Sequence, residues 1–259
     1  SLSIDGVGQS VVVSGSSAYR VFTVDALANV SIRRLTIADG SMPGPSGTGA
    51  GIFTGGTLSL SDSTLTGNSA EHAGALHVAG GNTSLVNVTL TGNVSTSMHG
   101  IYGGGAAAIS EGVATFLNCT VSGNSTNNIE PQLSAGGLVN TASVTLTNTL
   151  VAGNASPTFK PDLAGTFTSG GNNVVGNGDG ISGLANGVLG DLVGSGASPV
   201  NALLAPLGAY GGPTQTMALL PGSPAIDGVT YNAPNGCPAA DQRAVARPQG
   251  AACDVGAFE

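Results

Sequence analysis

The chain has 259 residues, 41% apolar but only 4% aromatic and 8% charged, with 43 glycines and no tryptophan. Its formal net charge is −8, and its six lysines and arginines cluster only at Arg33-Arg34 and at Arg243 with Arg247. That charge pattern excludes a partner held by nucleic-acid phosphates or an anionic membrane surface, and without a run of 18 or more apolar residues no helix can span a membrane. The chain opens at Ser1 directly into strand-like sequence, with no initiator methionine or leader, and is expected to be a processed product or a piece of something longer.

From the first residues onward the chain repeats itself, which decides the fold class. Ile37-Ala38-Asp39-Gly40 opens a series continued by Leu65-Thr66-Gly67-Asn68, Leu90-Thr91-Gly92-Asn93, Val121-Ser122-Gly123-Asn124 and Val151-Ala152-Gly153-Asn154, with a looser copy at Val174-Val175-Gly176-Asn177. Aligned on the asparagine, two columns are apolar throughout and are expected to point inward: Ile32, Leu60, Leu85, Phe116, Leu146, and Ile37, Leu65, Leu90, Val121, Val151. A polar column runs Arg34, Asp62, Asn87, Asn118, Asn148, and a further one Thr36, Thr64, Thr89, Thr120 and then Leu150. Columns of like residues are what stacking produces: each residue lies above its equivalent at strand spacing, and asparagines can hydrogen-bond along the stack. Glycine before asparagine supplies the positive φ of a tight corner. A second signal opens one strand per coil, at Gly49-Ala50-Gly51-Ile52, Ala73-Gly74-Ala75-Leu76, Gly104-Gly105-Ala106-Ala107 and Ala135-Gly136-Gly137-Leu138.

The pattern predicts an all-β, right-handed parallel β-helix with coils of about 25–31 residues and about three short strands per coil. Leucine-rich repeats are excluded because the helical half of that unit is missing, and propeller blades are disfavoured by the short, aromatic-poor repeat. Length variation falls between the Gly-Asn corner and the next Gly-rich strand, with inserts at 41–48, 94–103, 125–134 and 155–164. The coils are expected over 1–198. Prolines cluster from Pro199 onward, so 199–259 is expected to be a loop-rich C-terminal cap covering the last coil and its open strand edge. Cys237 and Cys253, 16 apart in that tail, are expected to form a disulfide. Cys119 lies inside a repeat, at a position otherwise filled by Val, Ser or Thr, and reads as a small buried thiol.

Two features of this pattern carry a resemblance. The Gly-Gly and Leu-Thr-x-Asn coil phrases resemble bacterial surface β-helix proteins, the chlamydial polymorphic outer membrane protein repeats among them. The tail is similar to the choice-of-anchor Q domain of large bacterial surface proteins. Its matching segments are Gly211-Gly212-Pro213-Thr214-Gln215-Thr216, Leu219-Leu220-Pro221-Gly222-Ser223-Pro224-Ala225-Ile226-Asp227, Asp241-Gln242-Arg243 and Cys253-Asp254-Val255-Gly256-Ala257-Phe258-Glu259. The resemblance implies secretion, or a place on a bacterial cell surface, and no particular reaction.

A polysaccharide hydrolase of this shape needs two close carboxylates, and a calcium-dependent lyase needs a carboxylate cluster with a basic partner. Neither recurs at matching columns, and no metal-ligand spacing or cofactor motif is present. The candidate residues lie on the insert side. They are Glu71, His72, His99 and Glu130 as acid, base or ligand groups, with Tyr102, Lys160 and Asp162 as binding groups; the plainer reading makes them separate solvated loop residues. His77, within a strand, reads as a satisfied histidine. The sequons at Asn87 and Asn124 arise from the repeat. The leading expectation is therefore a surface structural or adhesive module contacting host-surface or matrix components. The alternatives are a polysaccharide-binding or polysaccharide-degrading β-helix, and a subunit of a filament assembled end to end.

Overall fold

The computed structural model describes residues 1–98, 103–129, 133–157, 160–229 and 236–259. The chain is a parallel β-helix: among the described residues there is no helix, and the strands stack in parallel in an eleven-stranded and an eight-stranded sheet. The stacking follows the sequence columns residue for residue. Ile32 pairs with Leu60, Leu60 with Leu85, Leu85 with Phe116 and Phe116 with Leu146. On the second sheet Ile37, Leu65, Leu90, Val121 and Val151 stack in the same way and continue to Val175. Both columns are 0–1% exposed. Each buried leucine or isoleucine contributes on the order of 1.5–3 kcal/mol, so the many thin layers replace the single aromatic core of a globule.

Strands begin at the fourth residue of each Gly-rich signal, where Ile52, Leu76, Ala107 and Leu138 stack on one another. In two coils this strand runs on into the next without a break, as Leu76–Val86 and Ala107–Leu117. A further sheet of two-residue strands follows the asparagine corner, from Ser41–Met42 through Ser69–Ala70 and Val94–Ser95 to Ser125–Thr126.

Two corners are set by backbone sign. Gly67, Gly92, Gly123 and Gly153 have φ between +67° and +74°, the region open to glycine. In the first coil Asp39 does the same work at +51°. The other corner is the polar column: Asp62, Asn87, Asn118 and Asn148 all sit at φ near +50°. Aspartate and asparagine tolerate this left-handed region better than other side chains, which is why the column is polar.

The tail does not sit over the last coil. Residues 178–193 close the stack, with Ile181, Leu184 and Val193 packed on the core and Leu192 paired to Val174. From there the chain turns back and runs along the outside of the eight-stranded sheet. The reason is the outward column of that sheet: Thr64, Thr89, Thr120, Leu150 and Val174 point away from the core, yet none is more than 3% exposed. The tail matches it in kind. Ala202, Ala225 and Val255 cover its apolar half with Leu150, Ala152 and Val174. Gln242 enters its polar half, where its Nε2 donates to the hydroxyls of Thr64 and Thr214 and its Oε1 accepts from Thr89. The tail is loop-rich, with antiparallel bridges at Leu204 to Leu219, Gly208 to Thr216 and Ala240 to Ala246. The sulfurs of Cys237 and Cys253 are bonded within it.

Candidate functional site

The asparagines of the Gly-Asn corner form one buried ladder. Asn68, Asn93 and Asn124 each donate from both the backbone N–H and Nδ2 to Oδ1 of the asparagine one coil on. The steps are 25, 31 and 30 residues, which are the coil lengths. Asn154 has no further asparagine and donates instead to Asp162 Oδ1 at 3.0 and 2.9 Å, while Asp162 Oδ2 accepts from the Asn177 N–H at 2.8 Å. An acceptor-only carboxylate is the group a chain of donors can end on. Burial raises the Asp162 carboxyl above its usual range, against the N–H groups of Asn154 and Asn177, which favour the anion. Asp162 is thus a ladder terminus, 2% exposed.

The insert-side constellation is only partly assembled. His99, Tyr102 and Glu130 lie outside the described residues. Lys160 is half-buried, its side chain against Gly180. Glu71 is held through its backbone, whose carbonyl accepts from Ser95 Oγ and the Ser97 N–H. His72 lies near His77, whose pKa is lowered to about 4 first by burial and then by the neighbouring His72 and Arg20. The His77 ring meets Ser110 Oγ at 2.9 Å and stands edge-on to Phe53, over which Arg20 also lies. Among the described residues no group of three or more His, Cys, Asp or Glu side chains is arranged to hold a metal ion.

The His77 environment has a measurable consequence. Its folded pKa lies below the ordinary value of 6.5, so the neutral ring is the folded form. Stability is whole above about pH 6.5 and falls as the pH drops toward 4, by about 3 kcal/mol once the ring is fully protonated. The urea midpoint of the parent chain should fall more steeply over that window than that of His77→Leu. Equal slopes would remove the assignment.

Two features of the surface were not anticipated. Directly before the inward column Ile32, Leu60, Leu85, Phe116 and Leu146 stands a hydroxyl: Ser3, Ser31, Ser59, Ser84, Thr115, Thr145 and Thr168 stack in unbroken register. They alternate with buried neighbours and face outward, a row at strand pitch of about 4.8 Å. The signal was legible as a Ser/Thr column beside Ile32, Leu60, Leu85, Phe116 and Leu146. The second feature is a pair of depressions where the tail meets the coils. One, of about 650 Å³, runs between the Gly-Asn corner and the tail, with Asn154, Asp162 and Asn177 on one side and Val200, Leu203 and Met217 on the other. The other, of about 380 Å³, lies where the hydroxyl row meets the opposite stretch of tail at Pro213 and Ala244.

Asn87 and Asn124, two of the sequon asparagines, are 4% and 1% exposed, so neither can carry a glycan in this fold. Cys119 is fully buried, its thiol directed at the carbonyls of Leu85 and Leu117 and pushed up to about 12 by desolvation. Such a thiol is inert. No family model, curated protein or solved structure matches the chain.

Proposed function

We propose that the chain is a secreted or cell-surface structural and adhesive module rather than a catalyst. The observation that carries this reading is the hydroxyl row, repeated in register over seven strands of one sheet. A repetitive face suits a repetitive ligand such as a polysaccharide or a matrix polymer. The buried carboxylates support the same reading. Asp162 ends the asparagine ladder, Asp191 accepts from Asn173, and Asp241 and Glu259 are engaged with arginines and backbone N–H groups. The resemblance of the tail to choice-of-anchor Q proteins supports a bacterial surface as the place. No helix is long and apolar enough to cross a membrane among the described residues.

The test is retention of the purified chain on immobilised polysaccharides and matrix proteins, with release of reducing ends followed in parallel. Retention without release is the expected result; steady release of reducing ends would make the module an enzyme. A second reading, end-to-end assembly, is favoured by the strands Leu2–Asp5 and Leu192–Val193, each paired on one side only. Light scattering that shows concentration-dependent growth would support it.

A further inference from the structure

We infer that the smaller cleft, where the hydroxyl row meets the tail, is a binding site for a neutral saccharide. This rests on the reading of the face as a recognition surface and locates the recognition on it. The floor is made by Ser31 on one strand and Ser59 and Ser61 on the strand paired to it. Arg33 and Asp62 stand at its edge, Arg33 Nη2 3.3 Å from Asp62 Oδ2 with the Arg33 side chain 47% exposed. A guanidinium beside a carboxylate offers donors next to acceptors, the arrangement that engages adjacent sugar hydroxyls, each of which donates and accepts.

Charge decides the class of sugar. Arg34 is held bidentate by Asp5, and Arg33 faces Asp62, so the two cations at the cleft are matched by two carboxylates. No uncompensated positive charge remains to favour a uronate, sulfate or phosphate.

The test is titration calorimetry of the full chain with xylohexaose and cellohexaose, and with hexagalacturonate as the acidic probe. Saturable binding of a neutral hexaose is expected, weakened roughly tenfold or more by Arg33→Gln and by Ser59→Leu, both at exposed positions. Thr145→Leu, on the same row but outside the cleft, should bind as the parent does. Equal loss in Thr145→Leu would overturn the cleft while leaving the face as the recognition surface. Preference for hexagalacturonate would overturn the neutral class, and no binding to any probe would overturn the site. Retention on a polysaccharide that survives Arg33→Gln unchanged would likewise separate failure of this site from failure of the adhesive reading.

Discussion

Arg247→Ala is expected to lower the stability of the folded chain by about 3–5 kcal/mol, the range for removing one partner of a buried ion pair. Arg247 and Glu259 meet at 2.8 Å with their side chains 0% and 1% exposed. The guanidinium also donates to the carbonyls of Asp254 and Gly256, and Glu259 accepts from the Asp254 N–H. Truncation leaves a carboxylate, two carbonyls and a cavity buried within the tail. The double variant Arg247→Met with Glu259→Leu should recover much of the loss, because no lone charge remains. Arg33→Ala, which breaks a solvated pair, should cost well under 1 kcal/mol. Urea unfolding of the four proteins reads all of these. A loss near that of Arg33→Ala for Arg247→Ala would mean that the Arg247–Glu259 pair is not buried within the tail.

Asn124→Ala should cost a similar amount, about 3–5 kcal/mol by loss of several buried hydrogen bonds at once. Asn124 Nδ2 donates to the carbonyls of Leu90 and Ser122 and to Asn154 Oδ1, and its Oδ1 receives the N–H and Nδ2 of Asn93. The loss strands groups in three coils, so unfolding should stay cooperative and simply move to lower urea. The ladder also has a direction, each amide donating toward the C-terminal end. Asn124→Asp would set an acceptor against Asn154 Oδ1 and the Leu90 carbonyl, and should be at least as damaging as alanine. Asp162, where the ladder ends, is the position where a carboxylate fits. If Asn124→Asp were tolerated as well as parent, the donor order would be wrong.

How much of this could be read from residues depends on whether a feature repeats. The apolar columns, the Gly-Asn corners and the start of each Gly-rich strand were legible because stacking imposes the same requirement on every coil. The polar column at Asp62, Asn87 and Asn118 was visible, but its cause, a left-handed corner, was not separable from hydrogen bonding alone. The tail was misplaced because it occurs once. The switch from Thr120 to Leu150 in the outward column records the polar and apolar halves that the tail covers, and that switch was in view without a partner to explain it. Asp162 was grouped with Glu71 and His72 by its position in an insert, whereas the fold uses it to end a ladder whose other members are all asparagine. The motif segments Asp241-Gln242-Arg243 and Cys253 to Glu259 have a common physical role. Gln242 enters the threonine column, and Asp241, Arg243, Arg247 and Glu259 tie the tail to itself around it.

The claim on which the rest depends is that coils and tail form one rigid body, with the tail laid along the flank and walling the saccharide cleft. Hydrogen exchange on the full chain, resolved by peptide, tests it most directly. Amides of Gln242, Val255, Gly256 and Ala257, whose N–H groups bond to tail or coil acceptors, should be protected as strongly as those of the Thr89 and Thr120 strands and should open with them as one cooperative unit. Rapid exchange across 240–259 while the coils stay protected would contradict the account, removing the wall of the cleft and the reason for the buried threonine column together.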